Sequence, residues 1–464
     1  MIETDPSRRG AHPRRREKPR PSREPVGSPG SRHRLSEFDA LRATAILLVV
    51  TLHSALAYTR LDIPRLLWGV REPSVHRGFD LFSWWAMGVS VPLFFAISGF
   101  FAAEVEQSRG PSAFLRSRVR RVIVPMLAAG PILLPLCFFA WTLGWLATGR
   151  CTFHEFRRMR FLDPAIMSDL YGPAHLWFLL YLAPMLLGFG WLRRSKLDRD
   201  EAREKIRVDL ASKKNRIRAA RGLRRKKVRF DRSTAEDEPQ AWRWLLAPWA
   251  PIALAIPSII LMRIGREVAG VDLSLDRHNS FFPNLIRLAH YGTFFAIGIG
   301  LHRVRDGLGI LAARGWWILA ASVPVFAYRA RLLPRDWSGT MSGTESWALA
   351  LTGALFSWLA VFGLIGVYRR HCARRSQVIR YLAEASFWLY LAHMPVVGLI
   401  QAALVPTQAP TTLKFAFTLS ATLALGLASY HVLVRGTKLG RFLGGGKGRA
   451  VTPSRDRRAS SPAP

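Results

Sequence analysis

The chain has 464 residues, 67 of them Lys or Arg and 31 Asp or Glu, for a formal charge of +36; half are hydrophobic and 11% aromatic. Charge and apolar residues occupy separate stretches, and 122–147 and 347–368 carry no charge at all, each long enough as a helix to cross a bilayer, which takes about 20 residues. A soluble globular fold is excluded, and 27 Phe with 16 Trp exclude a disordered chain.

Residues 1–34 hold ten Lys/Arg, four acids and several Pro, Gly and Ser, with no apolar core. They read as a disordered basic arm, not a signal peptide. Ten apolar segments follow, at about 38–58, 79–103, 122–147, 174–192, 244–262, 285–302, 315–330, 347–368, 381–402 and 413–434, the sixth and seventh being the least apolar. Lipid offers backbone groups no partners, so each must close its own hydrogen bonds as a helix. The expected fold is all-α, a polytopic membrane protein of about ten transmembrane helices over 35–440, with 441–464 a disordered basic tail.

The connections alternate in charge. The arm, the loop 104–121 (five Arg, two acids), the stretch 193–232 (18 bases, six acids), 369–380 (five Arg, no acid) and the tail from Arg435 (eight bases, one acid) fall on one side of a ten-span chain. Loops 59–78 and 149–173 on the other side are mixed. Positive charge marks the cytoplasmic face, so both termini and the basic insertion 193–243 are expected there. A nucleic-acid surface would interleave aromatics with these bases, and 193–232 has only Phe230. The reading is therefore a loop near anionic lipid headgroups, with no nucleic-acid partner.

Three cysteines, Cys137, Cys151 and Cys372, exclude a disulfide framework and a multi-cysteine metal site. Ionisable groups at membrane depth remain as candidates for chemistry. The first span opens Glu37-Phe38-Asp39-Ala40-Leu41-Arg42 and reaches His53 eleven positions after the arginine. Eleven helical steps turn about 20° past three full turns, which puts Arg42 and His53 on nearly the same face, ~16 Å apart along the axis. A charged fork at the cytoplasmic mouth suits a phosphorylated ligand, and a neutral imidazole deep in the bundle suits proton abstraction. Helix anchoring by Arg42 and packing by His53 are the competing reading. Ser98-Gly99 reads as a close helix contact, the cluster Arg118…Arg121 as positive-inside sequence beside Arg42, and His175 with Trp177 as an interfacial pair. His290, His393 and His431, taken singly, read as packed histidines.

Taken together, these strings resemble the membrane acyltransferase-3 family. Phe38-Asp39-Ala40-Leu41-Arg42 with His53, Phe94-Phe95-Ala96-Ile97-Ser98-Gly99-Phe100 and Arg118…Arg121…Pro125 carry the resemblance. His175-Leu-Trp-Phe-Leu and Ser386-Phe-Trp-Leu-Tyr390-Leu-Ala-His393-Met-Pro395 are similar to its glucan biosynthesis protein C branch, thought to succinylate periplasmic glucans. The resemblance implies O-acyl transfer from cytoplasmic acyl-CoA, a substrate rather than a bound cofactor, to a hydroxyl of an extracytoplasmic carbohydrate at the inner (plasma) membrane. It implies His53 as the catalytic base and Arg42, Arg118 and Arg121 as the CoA-phosphate site. Asp39, His175, Trp177 and His393 are candidates for substrate contact, and no metal is expected. The glutamate-bearing motif usual in O-antigen relatives is missing around His175–Tyr181, which favours a glucan-like acceptor. A transporter or flippase for an anionic lipid or sugar is the alternative; the halves show no sequence symmetry that would favour it.

Overall fold

The computed structural model describes residues 36–61, 63, 66–170, 172–220, 240–269, 279–374 and 376–443. It is 84% helical, with no strand among the described residues. The arm 1–34, the part of the insertion at 221–239 and the tail beyond 443 lie outside them.

All ten apolar segments fall on helices. In chain order these are α1 (Ser36–Ala55), α2 (Arg77–Arg109), the short α3 (Pro111–Arg118), α4 (Val124–Ala147), α5 (Phe153–Arg158), α6 (Pro164–Leu170), α7 (Trp177–Ala220), α8 (Ala250–Ala269), α9 (Leu285–Arg303), α10 (Gly309–Trp337), α11 (Gly343–His371), α12 (Gln377–Leu404), α13 (Thr411–Ser429) and α14 (Lys438–Phe442). Among the described residues eight spans are long and apolar enough to cross a membrane, so the protein is a multi-pass membrane protein. The expected ten included α8 and α9, which are not among the eight; α8 carries Arg263, Arg266 and Glu267 in its last third, and α9 has Arg287 in its first turn and ends on Arg303.

Two expected loops are largely helix. In 104–121 the only break is Gly110, whose φ of 77° ends α2 while Pro111 starts α3. Proline at a first helical position gives up an amide that has no intrahelical partner anyway. A π-helical turn at Val119–Ile123 then joins α3 to α4. The insertion begins as a continuation of the fourth span: α7 runs unbroken through 193–220, because Ala, Glu, Lys and Arg there are strong helix formers with no Gly or Pro to stop them.

Burial sorts the helices into layers. In α2 and α11, 72% of the most apolar window is inside the protein, against 17% in α4 with its lead-in and in α10. The former make the interior; the latter present Leu127, Ile132 and Phe139, or Trp316, Trp317 and Val323, to the surroundings, as lipid-facing helices do. Between α2 and α9 the backbones nearly touch. A methyl group on Gly99 would meet the Phe295 carbonyl, and one on Gly298 the Ala96 carbonyl, each at 1.9 Å. Gly99 is therefore a packing residue, as its sequence context implied.

Helix α1 runs through the middle of the bundle. It lies antiparallel to α11, with Thr44 hydrogen-bonded to the Tyr368 hydroxyl (2.6 Å) and Glu37 paired with Arg369 near its start. It lies parallel to α12, sharing with it the apolar cluster of Ile46, Val50, Ala385 and Leu389. That shared register carries His53 and His393 to the same depth.

Candidate active site

The Nδ1 of His53 lies 2.9 Å from the Nε2 of His393. The Nδ1 of His393 faces two backbone carbonyls of its own helix, Leu389 at 2.9 Å and Tyr390 at 2.8 Å. A carbonyl can only accept, so the proton of His393 sits on Nδ1. In the neutral ring Nε2 is then the acceptor, and His53 must donate from its Nδ1. The lone pair of His53 consequently resides on Nε2. Helix α12 thus fixes the tautomer of the α1 histidine through one intervening ring, the arrangement a general base requires. His393 is 1% exposed, whereas His53 is only part-buried.

Two further supports close around this pair. His175, in a 3-10 turn ahead of α7, donates from Nε2 to the Leu391 carbonyl (3.1 Å), and its Nδ1 lies 3.8 Å from the thiol of Cys137. Its ring meets that of His393 edge to face at 5.4 Å, and its carbonyl accepts from the Tyr390 hydroxyl at 2.5 Å. On the other side the indole of Trp68 stacks on His53, centroids 5.6 Å apart and planes 7° from parallel. The indole N–H donates to Gln401 (2.8 Å), whose amide donates to the Ser54 carbonyl (3.0 Å). His53 and His393 bond to each other, and His393 and His175 also to carbonyls, instead of all three converging on a point, and no metal-holding group occurs among the described residues.

The other end of the bundle is where the bases gather. Arg42 is paired with Asp39 at 3.3 Å and its guanidinium lies 5.7 Å from the Phe101 ring centre. Arg118 donates to the Phe101 carbonyl (3.3 Å) and sits over Phe114. Two guanidinium groups therefore flank one aromatic residue, and Arg121 is close enough to Arg118 to repel its charge. Four acids at the start of α1 and the end of α2 each have a partner: Glu37 with Arg369, Asp39 with Arg42, Glu106 with Arg193 and Glu104 with both His302 (2.7 Å) and Arg305 (3.0 Å). Burying such carboxylates unpaired would cost several kcal/mol each, on the order of 3–5.

Of the residues singled out from the sequence, His53, His393 and His175 come together, as do Asp39, Arg42 and Arg118; Arg121 is exposed beside them. His393 is turned onto His53, and both nitrogens of His175 are engaged by the protein. Trp177 packs on Tyr181 and Tyr291, outside the histidine cluster. Asp39 is directed at Arg42. Trp68 and Gln401 were not singled out: a tryptophan in a connecting segment near a membrane surface ordinarily anchors to headgroups, and a glutamine near a helix end carries no signal of its own. His431 is exposed, while His290 is buried between Tyr291 and Phe294.

A family model described as an acyltransferase domain, that of acyltransferase-3, matches residues 35–431. The chain belongs to the acyltransferase-3 family. Neither a search of curated proteins nor one of solved structures found a match. With the span composition, the match makes this protein a membrane acyltransferase, and the histidine pair and the arginine group lie within the matched region.

Proposed function

We propose that this transferase moves an acyl group from a cytoplasmic acyl-CoA to a hydroxyl of an extracytoplasmic carbohydrate. In this reading the Arg42 end of the bundle faces the cytoplasm, with both termini on that side of the plasma (inner) membrane, and the His53 end faces the other side. The single observation that carries it is the 2.9 Å contact that leaves the lone pair of His53 on Nε2. Arg42, Arg118 and Arg121 bind the CoA phosphates, for which forked, permanently charged donors are well matched. The thioester extends along α1 toward His53, across the ~16 Å that eleven helical residues span.

His53 Nε2 takes the proton of the sugar hydroxyl as that oxygen attacks the thioester carbonyl carbon. Collapse of the tetrahedral intermediate breaks the carbon–sulfur bond, and the departing thiolate receives the proton from the imidazolium. An ester and free CoA result. His393 holds the imidazole in the tautomer that can do this. The specific acceptor and donor we infer are a periplasmic glucan and succinyl-CoA, supported by the likeness of the His175 and His393 strings to the glucan biosynthesis protein C branch. Mass spectrometry of envelope carbohydrates from cells with and without the protein tests this pair. A succinyl increment of glucan present only with the protein is expected; an acyl increment on another polymer would replace the acceptor, and no increment on any carbohydrate would favour the transporter reading.

A further inference from the structure

The segment 66–76 leaves the His53 end of α1, crosses the histidine cluster and leads into α2, and it is tied down along its length. Backbone Gly69 lies against α4 so closely that a methyl group there would meet the Trp141 Cα at 2.9 Å, and one on Gly144 the Gly69 carbonyl at 2.5 Å. The indole N–H of Trp145 donates to the Trp68 carbonyl (3.1 Å). The Glu72 amide donates to the Ala57 carbonyl (2.9 Å), its carboxylate is paired with buried Lys414 at 2.9 Å from both oxygens, and the Ser74 carbonyl accepts from Thr411 (3.1 Å). What this anchoring delivers is Trp68, laid flat on His53 on the side away from Arg42 and tethered through Gln401 to the backbone carbonyl of Ser54. Its indole is also where three apolar clusters meet, around Trp141, around Leu52 and Leu56, and around Tyr58 and Val70.

We propose that Trp68, held by Gln401, is the outer wall of the reaction chamber: it fixes the plane of the His53 ring and keeps bulk water away from Nε2. The inference rests on the acyl-CoA reading above. A base able to deprotonate a sugar hydroxyl deprotonates water equally well. Water attacking the thioester carbonyl would pass its proton to His53, the carbon–sulfur bond would break, and the products would be a free carboxylic acid and the CoA thiol. A transferase that meets its donor before its acceptor has to suppress that reaction, and an apolar roof over the base does so by excluding the competing nucleophile. Trp68 is therefore a positioning and shielding residue, and Gln401 acts through it.

The test is release of CoA thiol from succinyl-CoA by the purified full-length protein in vesicles, with no acceptor added. Wild type is expected to hydrolyse slowly. Trp68→Ala should raise the rate by about tenfold or more, equivalent to ~1.4 kcal/mol or more of barrier. Gln401→Met, which keeps the volume but cannot accept from the indole, should raise it by a smaller factor. Adding His53→Gln to either variant should return hydrolysis to the background. A gain that depends on His53 cannot come from misfolding. Should Trp68→Ala fail to fold, Gln401→Met carries the test alone. Transfer by wild type in a parallel assay with labelled succinyl-CoA and glucan, with no gain of acceptor-free hydrolysis in a folded variant, overturns the role of Trp68 and leaves the transfer reading standing. Failure of wild type to transfer the succinyl group at all overturns both.

Discussion

His393 accepts a hydrogen bond from His53 while its own proton is committed to the carbonyls of Leu389 and Tyr390. Two histidines on different helices therefore behave as one unit, and the ring that touches nothing but protein decides the protonation pattern of the ring expected to react. His393→Ala should lower acyl transfer by about ten- to a hundredfold, the range set by loss of an orienting contact of ~1–3 kcal/mol. His393→Gln, whose carbonyl oxygen can accept from His53, should recover part of that loss at an unchanged apparent affinity for acyl-CoA. Transfer rates and donor affinities of the two variants decide it. Equal activity in wild type and His393→Ala would reduce the pair to a packing contact.

The arginines make a separate prediction because they lie at the opposite end of α1. Arg42→Ala and Arg121→Ala should each weaken binding of acyl-CoA by about ten- to a hundredfold, since a hydrogen bond to a charged group contributes ~1.5–3 kcal/mol. Isothermal titration with a non-hydrolysable acyl-CoA analogue measures this directly. Arg42→Lys should bind at intermediate strength, because an ammonium keeps the charge and loses the fork. Unchanged affinity in both alanine variants would leave these residues as membrane anchors.

Much of the architecture was legible in the sequence because lipid imposes one solution on an uncharged run of twenty residues. The spacing from Arg42 to His53 was legible for the same reason, helical pitch being fixed. The reach of helix into 193–220 is hidden in the sequence because charge and helix propensity read oppositely in a Lys- and Glu-rich stretch. His393 looked like a packed residue because its partner is 340 positions away and sequence spacing says nothing about contacts between helices. Trp68 was illegible for a different reason. Its role depends on the path of a connecting segment, which Glu72, Gly69 and Gly144 fix through contacts with α4 and α13 that no local pattern encodes.

The ion pair of Glu72 with Lys414 is nearly sealed from solvent, at 8% and 4% side-chain exposure. Removing one member of such a pair strands a buried charge and costs about 3–5 kcal/mol, whereas replacing both with apolar residues of similar volume is often neutral. Lys414→Met should therefore lower the thermal midpoint of the purified protein clearly, and adding Glu72→Leu should restore most of it. A single variant as stable as wild type would show that water reaches the pair.

The central claim is that His53 is the general base of acyl transfer, and His53→Gln tests it most directly. The substitution keeps a hydrogen-bonding side chain of similar size but cannot take up and release a proton. In vesicles with labelled succinyl-CoA on the Arg42 side and glucan on the other, wild type should yield labelled carbohydrate. The variant should be slower by about 10²–10⁴-fold at an unchanged affinity for the donor. Equal labelling by wild type and His53→Gln would contradict the account and remove His53 from the chemistry.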